Sequence, residues 1–145
     1  MAVASCLLDT NILLRLTRST DTQHKLIETA LSQLLLQEAT LHYTHQNIAE
    51  LWNVMTRHIE RNGLGLTSKE AQREVQAIES GMTLCPTVKR SIGSGEGLSF
   101  STTFWEFGST MAATMYVHDV KPILTLNPSD FSRFDGLIVL HPADL

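Results

Sequence analysis

The sequence predicts an α/β fold: a three-layer α/β/α arrangement with a central, mainly parallel sheet. Three observations carry that expectation. Short apolar runs of strand length alternate with stretches of helical periodicity along most of the chain. The first run is continuously apolar rather than alternating, as a strand covered on both faces would be. No internal repeat and no linker interrupts the 145 residues, so one domain, residues 1–145, builds one core.

The elements follow in order. Residues 3–8 form a short apolar run that ends at Asp9. Thr10 and Asn11 offer a cap for a short helix through Leu16, and Asp21 a cap for a second. In that second helix Leu26, Ile27, Ala30, Leu31, Leu34 and Leu35 recur at helical spacing. Residues 41–44 read as a strand. The next helix sets Ile48, Leu51, Trp52, Met55 and Ile59 on one face and stops near Asn62-Gly63. Thr67-Ser68-Lys69-Glu70 has the form of a capping box for a helix ending at Gly81. Residues 83–85 make a further strand, and Gly93-Ser94-Gly95-Glu96-Gly97 reads as a flexible loop. A helix is expected over Glu106–Val117, strands over 122–125 and 137–140, and a short turn or helix over 130–134. Ligands of such sheets gather beyond the carboxyl ends of the strands, which singles out Asp9 and the turn at 127–130.

Composition narrows the function. A formal charge of −4 argues against a protein that grips nucleic acid by general electrostatics, which recruits clustered Lys and Arg. A nucleic-acid ligand would therefore need the acids in another role, and holding metal ions is the obvious one. Cys6 and Cys85 lie in apolar surroundings and read as buried thiols of a reducing compartment. The opening MAVASCLLDT has no basic leader, and no apolar run approaches a membrane span, so a cytoplasmic protein is expected.

Three acids stand out. Asp9 follows a strand, Glu50 lies early in a helix beside its apolar stripe, and Asp130 follows the Asn127-Pro128 turn. Each has a structural alternative: a cap at Asp9, a macrodipole partner at Glu50, a turn residue at Asp130. Together they suggest convergence. Phosphodiester hydrolysis needs an activated water and a counter-charge, and Mg²⁺ or Mn²⁺ held by carboxylates supplies both. Without a cation, clustered carboxylates repel one another and their pKa values rise.

Leu8-Asp9-Thr10-Asn11-Ile12-Leu13-Leu14 resembles the opening motif of PIN domains. The segment Thr44-His45-Gln46-Asn47-Ile48-Ala49-Glu50-Leu51-Trp52-Asn53-Val54-Met55-Thr56-Arg57 resembles their second motif, and Ile123-Leu124-Thr125-Leu126-Asn127-Pro128-Ser129-Asp130-Phe131 resembles their third region. Order, spacing and length agree over essentially the whole chain, which resembles the VapC-like toxin ribonucleases of toxin–antitoxin pairs. The resemblance implies a three-layer PIN-like fold, RNA cleavage with Mg²⁺ or Mn²⁺, frequent homodimers and inhibition by a small antitoxin. By position it makes Asp9, Glu50 and Asp130 catalytic metal-site residues and Thr10, Asn11 and Asn127 their polar supports. One departure stands out. The family carries His-Asp-Ala where a gap-free count puts Phe107-Gly108-Ser109, so Gly108 replaces a core acid. Glu106, two residues earlier, is the candidate substitute ligand. The alternative function is a degenerate, non-catalytic PIN-like module that binds RNA or a protein partner.

The remaining candidates are weaker. Asp119 reads as a turn residue. His42 and His45 lack the third ligand of a zinc site. The glycine-rich stretch lacks the Lys-Ser/Thr of a phosphate loop. Trp52 and Met55 read as core, and Arg15, Arg57 and Arg61 as solvated charges rather than phosphate contacts.

Overall fold

A computed structural model describes residues 2–86 and 106–145, with 106–109 as helical backbone. Five strands form one sheet: β1 (Ser5–Leu8), β2 (Thr40–Tyr43), β3 (Thr83–Leu84), β4 (Pro122–Leu124) and β5 (Ile138–Leu140). Their order is β3-β2-β1-β4-β5 and every pairing is parallel. Helices α1 (Thr10–Leu16), α2 (His24–Leu36), α3 (His45–Thr56), α4 (Ser68–Gly81) and α5 (Glu106–Val117) lie between and beyond the strands. The expected α/β class is observed, and the expected mainly parallel sheet is wholly parallel among the described residues.

The alternation of side chains along β1 explains the three layers. Cys6 and Leu8 point into a core built with Ile12 and Leu13 of α1, Ile27 and Leu34 of α2, Leu51 and Met55 of α3, and Ala71 and Ile78 of α4. Leu7 points the other way, with Ile123, against Met111 and Met115 of α5 and against Phe131. The part of a central strand that is buried on both faces carries apolar side chains, so after the partly exposed Ser5 the run Cys6-Leu7-Leu8 stays apolar up to Asp9.

Most boundaries fall within a residue or two of expectation, and α4 and α5 coincide with it. The Thr67–Glu70 capping box forms: Thr67 Oγ1 accepts from the Glu70 N–H at 3.2 Å, and Glu70 Oε2 accepts from the Thr67 N–H at 2.8 Å. Three expectations need correction. Asp21 does not cap α2, whose N-cap is Gln23 without a side-chain bond. Its carboxylate instead accepts from the Gln23 N–H at 2.9 Å and meets Arg15 at 3.4 Å. The α1 cap is Asp9 itself, which accepts from the Thr10 N–H at 2.7 Å. Finally, α3 stops at Thr56, so Ile59 is 72% exposed in a separate 3₁₀ turn and Trp52 is 37% exposed.

The cause of that early stop is the chain's return over the end of α3. Leu64 and Leu66 donate to the Val54 and Met55 carbonyls at 3.0 and 2.8 Å, capturing acceptors that a continuing helix would have used. Gly63 permits the approach: a Cβ there would lie 2.0 Å from the Arg57 carbonyl oxygen. Leu64 and Leu66 then pack against the core where Ile59 was expected. The Gly93–Gly97 stretch lies outside the described residues.

The strand order places a topological switch between β1 and β4. From β1 the chain moves outward to β2 and β3, then returns to lay β4 and β5 on the other side. The Asp9 N–H donates across this boundary to the Leu124 carbonyl at 3.0 Å, so both strands end side by side. Side chains that follow β1 and β4 therefore share one crevice, as the rule for open parallel sheets requires.

Candidate metal centre

Asp9 is fixed by residues from both sides of the switch. Its Oδ1 accepts from the Thr10 N–H at 2.7 Å. Its Oδ2 accepts from the Thr125 hydroxyl at 2.7 Å and from Asn11 Nδ2 at 3.1 Å. Asn11 has one amide orientation, because its Oδ1 accepts from the Leu126 N–H at 3.2 Å. The Thr125 hydroxyl has one direction too. Its oxygen receives the Asn127 N–H at 3.0 Å and Asn11 Nδ2 at 3.3 Å, leaving its proton for Asp9.

Glu50 is held by a parallel arrangement. The Thr10 hydroxyl donates to Glu50 Oε2 at 2.8 Å, and Gln46 Nε2 donates to Oε1 at 3.0 Å. Asn47, fully buried, donates from Nδ2 to Thr10 Oγ1 at 3.0 Å. Thr44 and Asn47 complete a capping box at the start of α3, which fixes the turn carrying Glu50. Thr10 thus joins α1 to α3 and Asp9 to Glu50.

The electrostatics are unfavourable to the bare carboxylates. Burial pushes the Asp9 carboxyl above the usual range, and repulsion from Asp130 adds to the rise while its three donors oppose it. Burial also raises Glu50, against the donors Thr10 and Gln46, with repulsion from Asp9 in the same sense as burial. Asp130 ends the 3₁₀ turn Pro128–Asp130, is exposed, and acts on Asp9 through space. So Asp9 is coupled to both other acids, and the three occupy one pole of the sheet. Among the described residues, no group of three or more His, Cys, Asp or Glu side chains is close enough to hold a metal ion by itself.

A stability prediction follows from the sign of those shifts. A carboxyl raised in the folded state costs nothing while both states are protonated. As pH rises through the unfolded value, the unfolded chain ionises first and stability falls until the folded group has ionised as well. Glu50→Gln removes one such penalty and keeps its bonds if the Gln46 amide turns over. Thermal melts of metal-free protein should therefore show the variant more stable than wild type at neutral pH, with the gain vanishing below the ordinary carboxylate range. A variant less stable at neutral pH would contradict the assigned penalty.

Of the supports expected by resemblance, Thr10 and Asn11 bond directly to the acids, whereas Asn127 contributes its backbone N–H to Thr125. Thr125 is the residue that the sequence reading missed as part of the site. It looks like the polar end of a strand, yet it is 0% exposed with a hydroxyl that makes three contacts. Its signal was a buried Thr directly after Ile123-Leu124, in register with Asp9 across the parallel β1–β4 pair. Glu106 begins α5, and its side chain lies outside the described residues, while Gly108 falls in the first turn of that helix. Met111 Sδ lies 3.9 Å from Asn47 Nδ2, so the N-terminal half of α5 passes beside the Glu50 network.

The other candidates fall elsewhere. Arg15 is engaged with Asp21 and Gln23, and Arg57 and Arg61 flank the turn beyond α3. His42 is half-buried, its Nδ1 has no hydrogen-bond partner among the described residues, and burial lowers its pKa, whereas His45 is exposed at the start of α3. Asp119 adopts φ 53° in an exposed turn, as its reading as a turn residue expects. Cys6 and Cys85 are buried free thiols, that of Cys6 pushed up to about 12 by burial, which leaves it unreactive. No family model matches this chain, and no curated protein matches it.

Proposed function

We propose that this chain is a metal-dependent endoribonuclease, with Asp9, Glu50 and Asp130 as the acids of a Mg²⁺ or Mn²⁺ centre. The observation that carries the reading is the pair Asp9 and Glu50. Both are raised by burial, with repulsion from Asp130 adding at Asp9 and repulsion from Asp9 adding at Glu50, yet each has both oxygens held by directed donors. A capping residue needs no neighbouring acid, and a fold selected for stability alone gains nothing from burying two. A cation offsets that cost.

The donor set fits such an ion. It is all carboxylate oxygen, the chemistry of hard divalent cations, and Mg²⁺ keeps several waters, so it can be held by fewer than three direct protein ligands. Asp9 and Glu50 would hold the ion, with Asp130 completing the negative pole and Glu106 the candidate for the place of the family acid at Gly108. When bound, the ion supplies counter-charge for the phosphate and lowers the pKa of water. The protein's own residues do the orienting. Thr125 and Asn11 point the Asp9 carboxylate, Thr10 and Gln46 point that of Glu50, and these donors oppose the rise in pKa that burial causes.

The test is cleavage of a mixed RNA pool by purified protein with Mg²⁺ or Mn²⁺, and again with EDTA. Cutting that chelation abolishes supports the enzyme, and metal-independent cutting or none by well-folded protein counts against it. The second reading, a non-catalytic PIN-like module binding RNA or protein, is favoured by one observation, Gly108 in place of the expected acid. Calorimetry with Mn²⁺ separates them, since the module has no reason to bind the ion.

The resemblance to VapC-like toxins extends the proposal to a small antitoxin partner, a homodimer and a cytoplasmic location. Among the described residues no helix is long and apolar enough to cross a membrane. Inhibition of cleavage by the product of a small adjacent reading frame would test the partner.

A further inference from the structure

Asn47 and Glu50 lie three residues apart on α3, a spacing that makes side chains neighbours on a helix surface. They do not bond to each other. The Thr10 hydroxyl, from α1, sits between them, accepting from Asn47 Nδ2 at 3.0 Å and donating to Glu50 Oε2 at 2.8 Å. The direction of this chain of bonds is fixed at its far end. Asn47 Oδ1 accepts from the Thr44 N–H at 2.8 Å and from the Thr44 hydroxyl at 3.0 Å, so its NH₂ must face Thr10. With one lone pair of Thr10 Oγ1 engaged by that NH₂, the hydroxyl proton is directed to Glu50. The third position of a capping box is usually Glu or Gln, and the carboxylate of a Glu there would satisfy the cap without an N–H to give. Asn serves both ends, and it does so at 0% exposure, where an unused amide would be costly.

We propose that Asn47 is a positioning residue that, through the Thr10 hydroxyl, sets the orientation in which Glu50 meets a divalent cation. This rests on the metal-centre reading above. Outer partners of metal ligands of this kind characteristically change affinity by about 10- to 100-fold when removed. The experiment titrates Mn²⁺ into the full chain by calorimetry, with melting temperature recorded for each variant. Asn47→Ala is expected to weaken Mn²⁺ binding by roughly tenfold. Thr10→Val, which leaves the cap bonds of Asn47 in place, should show the same loss and keeps the test available if Asn47→Ala folds poorly. The double variant should bind no more weakly than Thr10→Val alone, since the two act in series. Thr10→Ser should restore affinity. Thr67→Ala, which removes the hydroxyl of the exposed cap of α4 instead, should melt earlier yet keep wild-type affinity. Multiplying losses in the double variant, or an equal loss of affinity in Thr67→Ala, would overturn the positioning role and leave the metal centre standing. Wild-type protein that binds no Mn²⁺ would overturn the metal centre itself.

Discussion

Asp9→Asn should reduce metal-stimulated RNA cleavage by roughly 10²- to 10³-fold or more, the scale of losing a preorganised electrostatic group at a reacting centre. The fold should survive. The substitution relieves the burial of a charge, and it sets an NH₂ against two donors, Thr125 and Asn11, that pointed at Oδ2. These effects oppose one another, so far-UV circular dichroism should be unchanged and the melting temperature little moved. Folding and activity therefore separate in one variant, and running it beside wild type also exposes a contaminating nuclease. Equal cleavage by the two proteins would remove Asp9 from the chemistry.

The largest effect on stability is expected at Leu124. Its side chain is 0% exposed, it sits on β4 between β1 and β5, and its carbonyl receives the Asp9 N–H. Leu124→Ala should cost about 2–5 kcal/mol, combining lost transfer energy with a cavity in a close-packed core. Domains of this size are stable by only about 5–15 kcal/mol, so the variant would spend a large share of that margin. Urea unfolding should show a lower midpoint at unchanged slope. A shift of the midpoint worth under about 1 kcal/mol would mean that the strand repacks, contrary to its enclosed position.

The architecture was legible in the sequence because the buried stretches of parallel strands between two helical layers are predominantly apolar. The run at β1, the periodicity of α2 and the Thr67–Glu70 box all translate directly into local geometry. What misled was long-range. Ile59 fits the α3 stripe by spacing, but the stripe is completed by Leu64 and Leu66 after a reversal that depends on the space left by Gly63. Asp21 has the type of a cap, but it is drawn to Arg15 on the preceding helix. At the candidate site the three acids could be picked out because each follows a strand or opens a helix. Thr125 could not be weighed in the same way. A threonine at a strand end is commonplace, and only pairing of β1 with β4 turns its hydroxyl onto Asp9. Whether a residue supplies Gly108's missing acid was beyond periodicity for the same reason: it depends on how α5 is set against the sheet.

The bond from Thr125 to Asp9 spans 116 positions of the chain. During synthesis Asp9, Asn11, Asn47 and Glu50 emerge long before the strand that steadies Asp9. A domain folds as a unit, and β4, the neighbour of β1 opposite β2, is made long after both. Until then the Asp9 carboxylate lacks its shortest side-chain donor and the crevice has one wall. A nascent chain of this protein therefore carries its acids in an unassembled state on the ribosome, surrounded by RNA. The site is completed only when the C-terminal third closes the sheet.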